Sequence, residues 1–316
     1  MRFKKLDLNL LVALDALLTE KNVTRAGERV FLSQSTMSNA LSRLRQYFDD
    51  ELLVQVGGRM ELTPRAELLH EAVRDVLVRI DTTVAARPAF DPTASDREFT
   101  LFVSDYSMEV LVPGMLALTS QRGSRARFNL KPQVNQPHRH LERGEADLLI
   151  IPENFCSPDH PLDQLFDDRF VCVVWRESPL ALGSLTMERY MMARHVSMRP
   201  PDGSLPVFDT WLANDHGLTR EIGLTTYSFS AMPYLVVGTD LIATVHSRLA
   251  SKLQGLLPIE IRPVPMPMKT LHQAMQWHKY RSRDPGLIWL RDLLREAADQ
   301  LPSAAHESST ITPSAT

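Results

Sequence analysis

The apolar pattern of this chain changes its period near residue 98, and that change limits what the chain can fold into. Ahead of it, apolar residues recur at helical spacing only: Leu10, Leu14, Leu17 and Leu18 on one stripe, then Met37, Leu41, Leu44 and Phe48 on another. Beyond it, short apolar runs at 99–103, 128–130, 148–151, 170–174, 195–198, 241–245 and 259–264 read as strands. Helical patterns fall between them, at 108–121, 137–143, 186–192, 207–215, 231–237, 246–253 and 285–298, with a late strand at 274–278. Such alternation buries both faces of a mainly parallel sheet, so the expected fold class is α/β behind a helical front. The segments 144–151 and 238–245 rhyme, each a glycine and an acid leading into a buried strand, which suggests two similar subdomains.

At 316 residues, with 44% hydrophobic and 23% charged side chains, the chain has the make-up of a folded globular protein. Charges interrupt every apolar run well before about 18 residues, so no membrane span is expected. The start, Met1-Arg2-Phe3-Lys4-Lys5, carries no cleavage pattern, and a cytoplasmic protein is expected. Cys156 and Cys172 are too few for a disulfide framework or a zinc site. Net charge is −3 overall, yet residues 1–48 hold eight bases against four acids, net +4, leaving −7 for the remainder. A basic end on an acidic body suits contact with a polyanion, although an excess of this size also arises by chance.

The front helices sharpen that reading. A second short helix fits 24–30, with Thr24 as N-cap and Ala26-Gly27 small enough for close contact. After a tight break, Ser33 caps a third helix whose apolar residues face inward. Its other face carries Gln34, Ser35, Thr36, Ser38, Asn39, Ser42, Arg43 and Arg45. For one helix alone, a solvated polar face is the better explanation. Three short helices, a tight turn and a face of amides, hydroxyls and arginines point instead to a helix that enters a major groove. After Pro64 an amphipathic helix runs to about 86, with Leu69, Val73, Val76 and Ile80 spaced as a coiled-coil seam. Packing on the core of its own domain is the alternative. A rod of about 33 Å exceeds what the small domain covers, which favours dimerisation.

The blocks Asp7-Leu8-Asn9-Leu10-Leu11, Leu32-Ser33-Gln34-Ser35-Thr36-Met37-Ser38-Asn39-Ala40-Leu41 and Leu62-Thr63-Pro64 resemble the N-terminal winged helix-turn-helix of LysR-type transcriptional regulators. Within that family, the start of the chain and Phe90-Asp91-Pro92 resemble the branch holding nodulation regulators and regulators of aromatic catabolism. The resemblance implies a DNA-binding domain over 6–63 with its helix-turn-helix at about 23–42, and a linker and dimerisation helix over 64–87. It further implies a hinge over 88–97, a two-lobed effector domain like the type 2 periplasmic binding proteins over 98–301, and a disordered tail over 302–316. Residues 35–48 would lie in the groove. The wing would be the hairpin 53–62, turning at Gly57-Gly58, with Arg59 on phosphates or the minor groove. The chain departs from the family pattern in three places: Ser35 stands where many members have Pro, Gln55 where Arg is usual, and Gly27 where Ala is usual. By propensity alone the last costs about 1 kcal/mol.

The resemblance also implies partners: promoter DNA with a partly palindromic site, a second copy and a further pairing into a tetramer, a small aromatic effector, and RNA polymerase. The expected function is an activator of aromatic-compound degradation genes, with a flavonoid-responsive nodulation regulator as the alternative. Effector binding would move the lobes, change the angle between the DNA-binding pairs and relax a promoter bend. In such a fold ligands sit at the carboxyl ends of strands, which nominates Ser104, Asp105, Tyr106, Pro152, His195, Phe229, Trp277 and His278. Ser104, His195 and Phe229 lead by resemblance; Asp105 also reads as a helix cap, and a strand-end histidine is often structural. The methionines read as core filling. No nucleotide-binding, hydrolase or metalloprotease motif is present, and His138-Arg139-His140 cannot converge on one ion, so no enzyme, cofactor or metal is expected. A solute-binding protein of the same two-lobed fold is the competitor from another class.

Overall fold

The computed structural model describes residues 6–84, 89–133, 136–200 and 207–302. The expected tail beyond 302, the last residues of the linker helix and Pro88 lie outside the described residues. Contacts divide the chain into two compact units, 1–88 with 139–145, and 89–138 with 146–316.

In the first unit, α1 (Leu8–Glu20), α2 (Val23–Arg29) and α3 (Gln34–Phe48) close on Leu10, Leu14, Leu17, Leu18, Met37, Leu41 and Leu44, all buried. The Asp7 carboxylate caps α1 by accepting from the Leu10 amide at 2.9 Å. The cap of α2 is Asn22, which accepts from the Arg25 amide at 3.0 Å, so Thr24 lies inside the helix rather than at its start. An amide oxygen two residues earlier reaches the orphan N–H groups of the first turn. Ser33 caps α3 through the Thr36 amide, as its spacing predicts.

Between α2 and α3 the chain turns through Phe31 at φ 57°, and the Leu32 amide donates to the Gly27 carbonyl at 2.9 Å. A Cβ at Gly27 would lie 2.8 Å from the Leu32 carbonyl oxygen. The glycine is therefore required by that close approach, and the loss of helix propensity is secondary.

Strands β1 (Leu53–Val56) and β2 (Arg59–Leu62) form an antiparallel hairpin. Gly57 and Gly58, at φ 57° and 82°, supply the positive φ values that a two-residue turn of this hand needs. The linker helix α4 (Pro64–Val84) follows. Arg74 is buried and donates to the Asp15 carboxylate at 2.6 Å, tying α4 to α1. Leu69 and Val73 pack into the core of their own domain, whereas Val76 is exposed and Leu68, outside the expected seam, is 80% exposed. Ile80 is half-buried. The outward apolar stripe thus includes Leu68 and Val76, and the first half of the expected seam faces inward.

The second unit holds two five-stranded sheets. Its first lobe has β3 (Glu98–Val103), β4 (Arg127–Pro132), β5 (Leu148–Pro152), β6 (Leu162–Asp168) and β12 (Leu271–Gln276), in the order β4-β3-β5-β12-β6. Its second lobe has β7 (Phe170–Trp175), β8 (Arg194–Met198), β9 (Glu221–Thr226), β10 (Ile242–His246) and β11 (Ile259–Pro263), in the order β11-β7-β10-β8-β9. Helices α5 (Asp105–Val110), α6 (Val112–Gln121) and α12 (Pro285–Asp299) accompany the first set, whereas α7 (His138–Glu142) groups almost wholly with the first unit. The second set carries α8 (Met187–Met192), α9 (Val207–His216), α10 (Met232–Leu235) and α11 (Ser247–Gln254). The chain crosses between lobes twice, from β6 into β7 and from β11 into β12. Strands β3, β4 and β5 run parallel to one another, as do β8, β9 and β10; β12 and β7 run against their neighbours on both sides, so that β6 and β11 beyond them again follow the direction of the parallel strands. Within the α/β class, the lobe crossings thus account for the antiparallel strands.

Among the described residues no helix is long and apolar enough to cross a membrane, and no cluster of His, Cys, Asp or Glu could hold a metal ion.

Candidate DNA-reading helix and effector crevice

Along α3, Ser33, Gln34, Ser35, Thr36, Ser38, Asn39, Ser42 and Arg43 are all exposed, on the side opposite Met37, Leu41 and Leu44. The hydroxyls of Ser35 and Thr36 lie 2.9 and 2.8 Å from that of Ser33, gathered at the amino end of a 15-residue helix where backbone N–H groups favour a phosphate. Gln34, Ser38, Asn39 and Ser42 have no partner among the described residues and can be spent on base edges. Arg43 makes only a loose pair with Asp7 at 3.5 Å, both ends more than half exposed, which a phosphate or a guanine can displace.

Arg45 does not join this face. Its guanidinium donates to the carbonyls of Glu51 at 2.8 Å and Leu53 at 3.0 Å, which fixes the entry to the wing. Arg59 is exposed beside the turn of the hairpin. Asp50 completes the wing's anchorage, accepting from the Leu52 amide at 2.7 Å and the Thr63 hydroxyl at 2.6 Å. These bonds hold its carboxyl below the ordinary range.

In the second unit the carboxyl ends of β3, β5 and β6 face those of β8, β9 and β10 across a crevice. Ser104 ends β3 and caps α5 through the Ser107 amide at 3.2 Å. Asp105 bridges the lobes: one oxygen, Oδ2, accepts from the Ser228 hydroxyl at 2.7 Å, the Ser230 amide at 2.9 Å and the Ser230 hydroxyl at 3.0 Å. Tyr106 is buried, donates its hydroxyl to Asp168 at the crossing from β6 to β7, and stacks on His246 at 3.7 Å between centroids. Burial and the Asp168 charge hold that phenol protonated. Phe229 meets the His246 ring edge-on at 5.0 Å, and Phe170 lies 4.9 Å from it. Pro152 closes β5 at the same end. Glu153, Phe155, Phe170, Trp211, Lys269 and His272 are among the residues lining an adjoining cavity of about 750 Å³.

Three nominated residues lie elsewhere. His195 is near the start of β8, paired with Ile242 at the start of β10, at the end of both strands remote from the crevice. It is fully buried, with Nε2 2.8 Å from the Tyr190 carbonyl, and burial, with Arg220 nearby, lowers its pKa to about 4. Trp277 and His278 follow the end of β12, whose beginning, Leu271, is the crevice end. Trp277 donates to the Ser282 hydroxyl at 3.0 Å, and His278 caps the turn 279–281. The late strand begins at Leu271, three residues before its expected start, and it runs antiparallel to β5 and β6, so its amino end and not its carboxyl end meets the crevice.

His246 is the residue that sequence reasoning missed. It is buried, and burial lowers its pKa to about 4 against the pull of Asp168 and Asp105. The strand-end rule that nominated Pro152 would have found it, had the strand been extended one residue past Val245.

A family model described as a bacterial regulatory helix-turn-helix protein, lysR family, matches residues 8–67, and one described as a LysR substrate binding domain matches 93–299. The chain belongs to the LysR family. Members of this family are DNA-binding transcriptional regulators and not enzymes, and so is this chain. It is 41% identical over 304 residues to nodulation protein D 1 of Bradyrhizobium elkanii, covering 96% of this chain and 97% of the relative. Nodulation protein D 1 of Rhizobium meliloti is 40% identical, with 95% and 98% covered. These relatives are nodulation proteins, which favours the nodulation alternative over aromatic catabolism. A probable transcriptional regulator from Pseudomonas aeruginosa superposes with a TM-score of 0.63 at 29% identity, covering 93% of this chain and 97% of that one. Full-length OxyR from the same organism shares the fold, with a TM-score of 0.71 at 18% identity over 95% and 96% of the two chains.

Proposed function

We propose that this LysR-family regulator is a nodulation-type activator that binds promoter DNA through α3 and responds to a flavonoid-class polyphenol in the crevice. The observation that carries the reading is the end-to-end similarity to nodulation proteins D, 41% over nearly the whole chain. The crevice chemistry supports it. Its walls are aromatic, its acidic groups include Asp105 and Glu153, and the adjoining cavity of about 750 Å³ accommodates a three-ring molecule. Phe170 lines the cavity and lies 4.9 Å from His246, which with Tyr106 and Phe229 forms an aromatic cage, so a flat ligand in the cavity lies beside that cage.

On DNA, the first-turn hydroxyls of α3 and Arg59 take phosphates, while Gln34, Ser38, Asn39, Ser42 and Arg43 take base edges. Two copies pair through the outward stripe of α4, with Leu68 and Val76 in the seam and Ile80 at its flank, and present α3 to two half-sites of a partial palindrome. Pairing of dimers and contact with RNA polymerase complete the activator reading. Footprinting on the DNA upstream of adjacent genes, with and without a trihydroxyflavanone, tests it. A protected partial palindrome whose footprint changes with the flavanone is the expected result; a footprint changed only by aromatic acids would restore the catabolic reading.

A further inference from the structure

Asp105 is divided between two tasks. Its Oδ2 takes all three hydrogen bonds from Ser228 and Ser230 on the facing lobe, while Oδ1 accepts none among the described residues and has no cation beside it. The other carboxylate of the cage is fully engaged. Asp168 accepts from the Ser247 hydroxyl at 2.5 Å and the Arg169 amide at 2.7 Å on Oδ1, and from Tyr106 on Oδ2. His246, held neutral by burial, offers no charge to pair with either. Asp105 therefore holds an open acceptor next to an uncharged aromatic cage, on a side chain that is itself half-buried. A half-buried carboxylate oxygen takes a hydroxyl donor far better than it takes another acceptor or an anion.

We infer that Asp105 sets effector specificity: Oδ1 accepts a hydrogen bond from a phenolic hydroxyl of the aromatic ligand, and the same charge rejects ligands with only acceptors or a carboxylate there. This rests on the crevice being the effector site. Because Oδ2 ties Asp105 to the second lobe, a hydroxyl docked on Oδ1 also draws on the bond that spans the lobes.

The test is isothermal titration calorimetry on the full-length chain with a trihydroxyflavanone and its permethylated form, which keeps the rings and loses every donor. The native chain should prefer the hydroxylated form by tenfold or more, as a hydrogen bond to a charged acceptor requires. In Asp105→Asn, which still accepts from the two serines, the preference should fall to about threefold or less, with an unchanged melting temperature reporting an intact fold. Asp105→Ala should fall at least as far. Equal preference in native and variant chains overturns the inference, as does failure of the native chain to bind the hydroxylated form. Phe229→Ala separates the two readings. If it weakens binding while the Asp105 variants keep the native preference, the crevice stands and Asp105 is not its selector; if it too has no effect, the crevice assignment fails.

Discussion

Two arginines two positions apart on α3 have different work, and substitution separates them. Arg43 is exposed and loosely paired, so Arg43→Ala should weaken promoter binding by about tenfold or more and relax preference at one base pair, at unchanged melting temperature. Arg45 binds two backbone carbonyls at the foot of the wing, so Arg45→Ala should lower thermal stability first. A melting curve beside a gel-shift titration reads both. The sequence showed both as basic residues on a polar helix; what it could not show is that the loop after Phe48 returns close enough for Arg45 to reach it.

The two buried histidines make a further difference at the residue scale. His195 and His246 titrate near 4 in the fold and near 6.5 unfolded, so the unfolded chain binds more protons between those values. Stability therefore rises with pH through that window and is lost as pH falls from about 6.5 toward 4. His246→Phe should show a shallower loss of melting temperature between pH 7 and pH 5 than the native chain. An identical slope in both would mean that His246 takes up its proton as readily in the fold as in the unfolded chain.

At the scale of the element, Gly27 shows where propensity and packing disagree. Propensity says that Gly27→Ala gains about 1 kcal/mol in a helix. The added Cβ would meet the Leu32 carbonyl at 2.8 Å, a backbone atom that cannot step aside without opening the turn. Gly27→Ala should therefore destabilise the domain by about 1–3 kcal/mol, measurable by urea unfolding. The helices and most strands were legible because their apolar periods are strong. The caps were less so, since Asn22 and Thr24 are both good capping residues and only geometry chooses between them. Among the candidate positions, the strand ends at Ser104 and Pro152 were legible, whereas a boundary displaced by a residue hid His246 and an unknown strand direction misplaced Trp277; His195, read at the start of its strand, was nominated by resemblance alone.

Across the whole molecule, the proposed pairing through α4 would link assembly to DNA affinity. Its pattern has apolar residues on two stripes, and the same spacing that marks a seam between copies also marks contact with α1. The bond from buried Arg74 to Asp15 settles which stripe faces inward, and Leu68 and Val76 are left outside. A charge on the inward stripe should unfold the domain, whereas one on the outward stripe should separate the paired copies and leave each folded. Leu68→Asp with Val76→Asp should thus halve the mass found by light scattering at unchanged helical signal, while Val73→Asp should lose that signal. Separated copies hold one half-site each and lose the second set of phosphate contacts, so promoter affinity should drop steeply and the dependence of log K on log salt should roughly halve. A native mass for the double variant would move the seam off this stripe of α4, and an unaltered salt slope would mean that one copy meets the DNA alone.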